Sequence, residues 1–329
     1  MKRKFILAAS VFLWAAVIVA SSDPRVDLLP KLQPGEALTY LIRFRSEKNV
    51  KTESNLVIPL APADAKADTR AFLRIQILDV QEAGGRLSIH ARSEFLVNDI
   101  DGLISKNTSQ KREPAQQSLK PEGKPVEFTV SANGLAEKII GLDALTLEQQ
   151  QVWQEWLARF SMAWALSSPT AKIGDKWKSD QPEPAPSPIA ALNWSRDSSY
   201  VRDEPCAPAQ LSAFGEVTPP NSSADRCAVL LTTAKLVQKS SPKDATPEDF
   251  KLHQLKTMGR AKGSNEIITY ISLSTGLVVR ATEDATQEMN VVVAKADGSN
   301  GVRYNVDAKS KLEVLLLTET PQAQAQPQR

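Results

Sequence analysis

Leu145–Leu166 reads LTLEQQQVWQEWLARFSMAWAL, and how this stretch is read decides the fold expected for the rest of the chain. Trp153, Trp156, Leu157, Phe160 and Trp164 recur at i, i+3, i+4, i+7 and i+11, which puts them on one face of an α-helix. Gln150, Gln151, Glu155 and Arg159 fall on the other faces. Three of the six tryptophans of the chain lie on that stripe. The flanking sequence has the shorter period of strands and turns. The expectation is a mainly β (α+β) protein with antiparallel curved sheets in two β-rich halves packed around one long central helix, residues 143–166.

Upstream, residues 23–142 form the first expected half. Glu36–Arg45, EALTYLIRFR, places Leu38, Tyr40, Ile42 and Phe44 at every second position, the pattern of a strand with one buried face. Val50–Ile58 can pair with it as a second strand. In Arg70–Glu82, Leu73, Ile75 and Ile77 form the apolar set and Phe72, Arg74 and Gln76 the mostly polar one. Gly84-Gly85 then turns the chain into Arg86–Val97. Asn98–Lys124 is polar and aperiodic and reads as a surface loop. In Pro125–Gly141, Asn133-Gly134 stands between two strand-like runs, a strong hairpin signal because both residues tolerate positive φ.

Downstream, residues 167–319 form the second half. Ser167-Ser168-Pro169 ends the helical pattern, a short strand surrounds Trp177, and the proline-dense Gln181–Pro188 is extended. Leu192–Arg202 is strand-like, and Asp203–Arg226 reads as a loop between two cysteines. Cys227–Gln238, Phe250–Met258, Glu266–Leu273, Gly276–Thr286, Glu288–Ala294 and Val302–Leu317 read as six strands separated by turn signals. Residues 320–329 have nothing apolar to bury and are expected to be disordered.

The compartment is read from the N-terminus. Lys2, Arg3 and Lys4 precede an uncharged apolar run from Phe5 to Ala20 and small residues at Ala20, Ser21 and Ser22, the order of a secretory signal peptide spanning residues 1–22. The run is shorter than the roughly 20 residues that span a bilayer comfortably, so cleavage is favoured over retention as an anchor. An exported protein, periplasmic or extracellular and without a stable membrane span after signal cleavage, is expected. Beyond residue 22 there are 37 basic and 38 acidic residues, which gives no electrostatic reason to expect nucleic acid as partner. Hydrophobic residues make up 42% of the chain, enough to bury a core. Cys206 and Cys227 are its only cysteines; a disulfide between them is the favoured reading in an oxidising compartment, and two unpaired thiols are the alternative.

Few residues suggest chemistry. His90 and His253 lie in no recognisable catalytic context, and with two cysteines they make no ligand set of metal-binding spacing, so no metal and no cofactor is expected. The acidic neighbours Asp99 with Asp101, Asp203 with Glu204, and Glu283 with Asp284 read as solvated turn residues. The aromatic stripe has three readings. It packs a core, it lines a cavity for a lipid-like ligand through Trp153, Trp156, Phe160 and Trp164, or it lies at a membrane surface, which its lack of a Lys/Arg-rich polar face disfavours.

The hairpin VSANGLAEKIIGLDAL, the phrase SSPTAKIGDKW and the later hairpin YISLSTGLVVRAT together resemble an uncharacterised family of bacterial exported β-rich proteins. Gly134, Gly141, Pro169, Gly174, Asp175, Trp177 and Gly276 carry that resemblance; they are turn and packing residues, and imply a fold rather than a chemistry. The layout is also similar, as architecture alone, to LolA-like lipoprotein carriers. The function expected is binding of an apolar ligand or a protein partner in the bacterial envelope, without catalysis. A structural or assembly role and an unrecognised hydrolase are the alternatives.

Overall fold

The computed structural model describes residues 25–54, 63–83, 86–98, 119–131, 136–144, 153, 170–183, 187–211, 217–218 and 225–318. Residues 1–22, expected to be a signal peptide, and the tail 320–329, expected to be disordered, lie outside the described residues. So does the stretch 145–166 except for Trp153, whose backbone is helical.

Fifteen strands are described. They are β1 (Val26–Asp27), β2 (Ala37–Ser54), β3 (Ala63–Ala83), β4 (Arg86–Asn98), β5 (Leu119–Val130), β6 (Ala136–Ile140), β7 (Thr170–Ala171) and β8 (Lys176–Pro182). The C-terminal part adds β9 (Leu192–Cys206), β10 (Gln210–Leu211), β11 (Val217–Thr218), β12 (Asp225–Gln238), β13 (Leu255–Ser272), β14 (Val278–Lys295) and β15 (Val302–Leu316). Eleven of them form one antiparallel sheet in the order β6-β5-β4-β3-β2-β15-β14-β13-β12-β9-β8. Both parts of the chain therefore run as meanders, and they merge where β2 pairs with β15 from Tyr40↔Leu316 to Ser54↔Val302.

This arrangement corrects the expected α+β architecture. Among the described residues the protein is nearly all β, and they hold no long central helix. Apart from Trp153, the only α-helix among the described residues is α1, Glu248–Leu252; it overlaps the first three residues of Phe250–Met258, a segment expected to be strand, while Leu255–Met258 belongs to β13. Two β-rich halves do not need a helix to hold them together, because their own backbones hydrogen-bond across β2 and β15.

The strands are also longer than their sequence signals. Period-2 patterning marks only the half of each strand with an apolar inner face, so β2 runs on to Ser54, into the segment Val50–Ile58 expected to be a second strand. The two runs Glu266–Leu273 and Gly276–Thr286 are parts of β13 and β14, which have 18 residues each. Residues 119–124, expected in a loop, belong to β5. Both hairpin signals are matched by pairing: Ala83 faces Arg86 across Gly84-Gly85, and Val130 faces Ala136 across the segment that holds Asn133-Gly134.

Residues directly opposite in an antiparallel sheet share a face. Leu38, Tyr40 and Ile42 of β2, Leu73, Ile75 and Ile77 of β3, and Leu230 and Ile271 of β12 and β13 all lie on one face, here called inner, and join one buried apolar cluster. The opposite face carries cross-strand ion pairs such as Arg43 with Glu313 (3.0 Å), Arg92 with Glu127 (2.6 Å) and Lys311 with Asp284 (2.9 Å). Exposed pairs of this kind contribute about 0.2–1 kcal/mol each; their consequence is a wettable outer wall. One apolar patch interrupts that wall. Leu41, Phe72 and Leu96, in register on β2, β3 and β4, are covered by Ala209, Leu211 and Leu317.

The sheet is curled. Cα atoms of β9 and β13 approach within 8 Å although β12 lies between them, closer than two flat strand spacings of about 4.8 Å would allow. One end of the inner face is crossed by the residues after β1. The Lys31 N–H donates to the Thr275 carbonyl and the Gly35 N–H to the Ile77 carbonyl, each at 2.8 Å. Four residues reach at most about 14 Å, the breadth of three strand spacings, so this strap runs straight from the β13–β14 turn to β3. Leu28 and Leu32 on it are buried in the main cluster.

Two contacts fix these covers in place. At Gly276, with φ +69°, a Cβ would stand 1.9 Å from the Leu29 carbonyl oxygen, so the strap can seat only on a glycine. Cys206 and Cys227 form the expected disulfide, with Cα atoms 5.7 Å apart, joining the ends of β9 and β12. Gly276→Ala is expected to lower stability by about 3 kcal/mol. Gly174→Ala, where φ is +94° and nothing lies within 4 Å, should cost about 1 kcal/mol; urea denaturation of the two variants measures the difference. Replacing both cysteines by alanine should remove roughly 3 kcal/mol, read as a shift in urea midpoint that matches the shift of the wild-type protein under reductant.

Candidate ligand-binding face

Side chains along the inner face change character from one end to the other. Nearest the strap lies the main apolar cluster, with Tyr40, Leu73, Ile75, Ile77 and Phe128 almost wholly buried. At the far end a second cluster gathers Leu192, Leu236, Ala261 and Val291, with Trp194 and Met289 against it. Loops close over this second cluster: the Ala190 N–H donates to the Ala245 carbonyl (2.8 Å), and Ile189 and Ala245 are buried.

Between the clusters runs a polar layer. Ser46, Ser310, Ala285, Asn265, Ala234, Arg196 and Ser179 stand in direct register across β2, β15, β14, β13, β12, β9 and β8. Five of the seven are Ala or Ser, so the only long side chains in the row are Asn265 and Arg196, with Ala234 separating them. In the adjacent row toward the strap, Glu283 accepts from Asn265 Nδ2 at 2.8 Å, and the Ser198 and Thr232 hydroxyls hydrogen-bond to each other at 2.8 Å. In the row beyond, Gln181 lies opposite Trp194, whose indole N–H donates to Glu183 at 2.7 Å.

These polar groups are deeply placed. Arg196 is 6% exposed, Gln181 6%, Asn265 7% and Glu283 8%. Loss of water around the Arg196 guanidinium lowers its pKa, and the negative charges of Glu283 and Glu183 work against that shift. The carbonyl oxygens of the Gln181 and Asn265 side chains are buried with no hydrogen-bond partner. Elsewhere on the inner face, burial raises the pKa of the Tyr40 hydroxyl. Tyr200 donates to Asp203, and burial and that carboxylate raise its pKa too.

Of the four aromatic residues expected to line a ligand cavity, Trp153 is described and Trp156, Phe160 and Trp164 lie outside the described residues. Trp153 is 4% exposed and its ring stacks obliquely on Phe95, with centroids 4.6 Å apart. Phe95 faces Leu73 across β3 and β4, so Trp153 sits on the inner face over the N-terminal strands. The residues of the polar layer carry no local sequence signal, because each stands alone in its strand. Only the register across six neighbours unites them.

The candidate catalytic groups do not converge. His90 points to the outer face, 3.7 Å from Glu127, and His253 sits at the end of α1 with its ring against the Asp249 carbonyl. Asp203 is held by Tyr200, Glu204 pairs with Arg202 (2.5 Å) and Asp284 with Lys311, while Asp99 and Asp101 lie outside the described residues. Among the described residues, no three His, Cys, Asp or Glu side chains gather in a way that could hold a metal ion, and no helix is long and apolar enough to cross a membrane. On the outer face, a shallow groove of about 380 Å³ runs beside the edge strand β8, among Lys176, Lys178, Asp197 and Thr233. Lys178 and Asp197 pair across it at 3.1 Å.

No family model matches the chain, and no curated protein matches it. Among solved structures, it has a faint likeness to Pseudomonas aeruginosa OccK7 (OpdD), at 7% identity over 86% of this chain and 100% of that one, with a TM-score of 0.13. A score so low carries no argument about fold or function.

The charge arrangement in the polar layer makes its own prediction. Glu283→Gln removes the carboxylate that offsets the buried Arg196 charge and should lower stability by about 1–3 kcal/mol. On an Arg196→Met background the same change should cost less than half as much, a coupling that a double-mutant cycle in urea measures.

Proposed function

We propose that the protein is an exported, non-catalytic binder of an apolar, lipid-like ligand in the bacterial envelope. The observation that carries this reading is the inner face itself. One apolar cluster extends over strands from β5 to β9, and Trp153 from the aromatic stripe lies on it beside Phe95. Among the described residues the large sheet runs from β6 to β8 without closing on itself, and concave apolar faces of this kind are where such ligands bind. The charged outer wall suits a protein that carries its apolar surface inward. The disulfide supports export, since such bonds persist in oxidising compartments. The scattering of His90, His253 and the acidic pairs supports a non-catalytic role.

The test is native mass spectrometry of protein expressed with its own leader and taken from a bacterial periplasm, followed by titration of the delipidated protein with a fluorescent fatty acid. A bound lipid, or saturable binding with a Kd of about 1 μM, corresponding to about 8 kcal/mol, is expected. A brominated fatty acid should quench tryptophan emission, and less so in Trp153→Phe. A ligand-free protein that ignores both fatty acids refutes the reading, and recovery of one stoichiometric protein partner instead would favour an assembly role.

A further inference from the structure

We infer that the edge strand β8 is a docking surface for a second copy of this chain, and that the two copies of β8 pair antiparallel about a two-fold axis at Ser179. The inference rests on the sheet edge alone and is independent of the proposed ligand.

The backbone supplies the first half of the case. β8 is the last strand in the order of the large sheet, and among the described residues no strand pairs with its far side. Its near side is committed to β9: the Glu183 N–H donates to the Leu192 carbonyl, and the Tyr200 N–H donates to the Asp175 carbonyl. Pairs that exchange hydrogen bonds alternate with pairs that do not along an antiparallel ladder. With Lys176 opposite Ser199 and Pro182 opposite Asn193, the odd-numbered residues of β8 are the ones bonded to β9. Lys176, Lys178, Asp180 and Pro182 therefore turn their backbone groups to the open side, and all four are exposed.

Charge decides which strand fits there. Lys178 and Asp180 point to the outer face, where Lys178 pairs with Asp197 of β9. Asp180 stands opposite Ser195 and has no ion pair among the described residues. With the axis at Ser179, Lys178 faces Asp180 of the second copy, Asp180 faces its Lys178, and Lys176 faces its Pro182. All of these carry outward backbone groups, so they form the hydrogen-bonded pairs of a new ladder of about six bonds, Pro182 having no N–H to give. Ser179 meets Ser179 at the non-hydrogen-bonded position between them, where side chains come closest and a small one fits. Moving the axis one residue toward the N-terminus would set Lys178 against Lys178, and moving it one residue the other way would set Asp180 against Asp180. Of the three axes, only the one at Ser179 joins unlike charges without a like pair.

The same residues turn other strands away. Lysines and a proline on a sheet edge hinder pairing in general. A partner must set an acid against Lys178 and ask for no N–H from Pro182, and a second β8 does both. A two-fold axis perpendicular to the sheet keeps the inner faces of the two copies on one side. Trp177, which packs against the main cluster, then stands opposite Gln181 of the second copy, and the inner surface continues from one copy into the other.

The experiment is sedimentation velocity with native mass spectrometry on the exported protein, from about 1 to 300 μM. One short strand makes a small interface, so a dimer with a Kd of about 10–100 μM is expected. Asp180→Lys sets lysines against each other at both contacts and should weaken the dimer by at least about tenfold. Lys178→Asp should do the same by setting acids together. Mixed in equal amounts, the two variants are complementary again and should form a heterodimer within about threefold of the wild-type Kd. If Lys178→Asp, which also loses its pairing with Asp197, does not fold by circular dichroism, Asp180→Lys tests the inference by itself. A protein that stays monomeric over the whole range overturns the inference. So does a dimer that Asp180→Lys leaves unchanged, which would place the contact elsewhere, and so does growth into open-ended assemblies, which would mean that β8 meets a different edge such as β6.

Discussion

Backbone hydrogen bonding between β2 and β15 is the constraint on which the other features depend. It pairs Tyr40–Ser54 with Val302–Leu316, segments separated by most of the chain, and every other neighbour relation in the large sheet is between successive strands of one meander or the other. Without this pairing the chain would have two small sheets, each with an extra open edge and half of an apolar face. With it, Tyr40 and Leu41 at the seam are fully buried on opposite sides, one in the inner cluster and the other under the segment that follows Cys206. Pairing so distant in sequence must overcome a large loop-closure entropy. The two local meanders reduce that cost, since each needs only hairpins to form.

The same seam explains why the covers are where they are. A sheet that presents a continuous apolar face needs something over each end of it. The strap from Leu28 to Gly35 closes one end, and it can do so only because the β13–β14 turn offers a glycine at the crossing point. Loops around Ile189 and Ala245 close the other end over the C-terminal strands. On the outer side, the disulfide anchors the chain just before Ala209, which hydrogen-bonds to Leu316 and covers the patch of Leu41 and Phe72. The polar layer lies between these covers, where Arg196 and Glu283 lose much of their hydration and must rely on each other and on their neighbours.

The aromatic stripe and the polar layer show opposite limits of what a sequence reveals. Trp153, Trp156, Phe160 and Trp164 form an obvious pattern, yet the two parts of the sheet are joined by the pairing of β2 with β15. Helical periodicity reports a face to be buried and says nothing about what else the chain uses to hold itself together. Asn265, Glu283, Arg196 and Gln181 have no pattern at all, because a site assembled across strands draws one residue from each. Phe250–Met258 is strand only from Leu255 onward, since Glu248 and Asp249 after Pro247 favour a short helical turn that takes in Phe250–Leu252.

From the sequence alone came whatever depends on near neighbours. The alternation in Leu38–Ile42 and Leu73–Ile77 assigned inner residues correctly, Gly84-Gly85 and Asn133-Gly134 placed two hairpins, and the cysteine pair in a chain with an export-like leader announced a disulfide. These are consequences of backbone pleat, turn chemistry and cysteine content, all legible without the tertiary structure. Tertiary structure alone decided that the two ends of the chain share a ladder, that strands of 18 residues outrun their apolar halves, and that seven unrelated positions line up beneath one another. Register between strands is set by the balance of burial over the whole sheet, and no short window of sequence contains that balance.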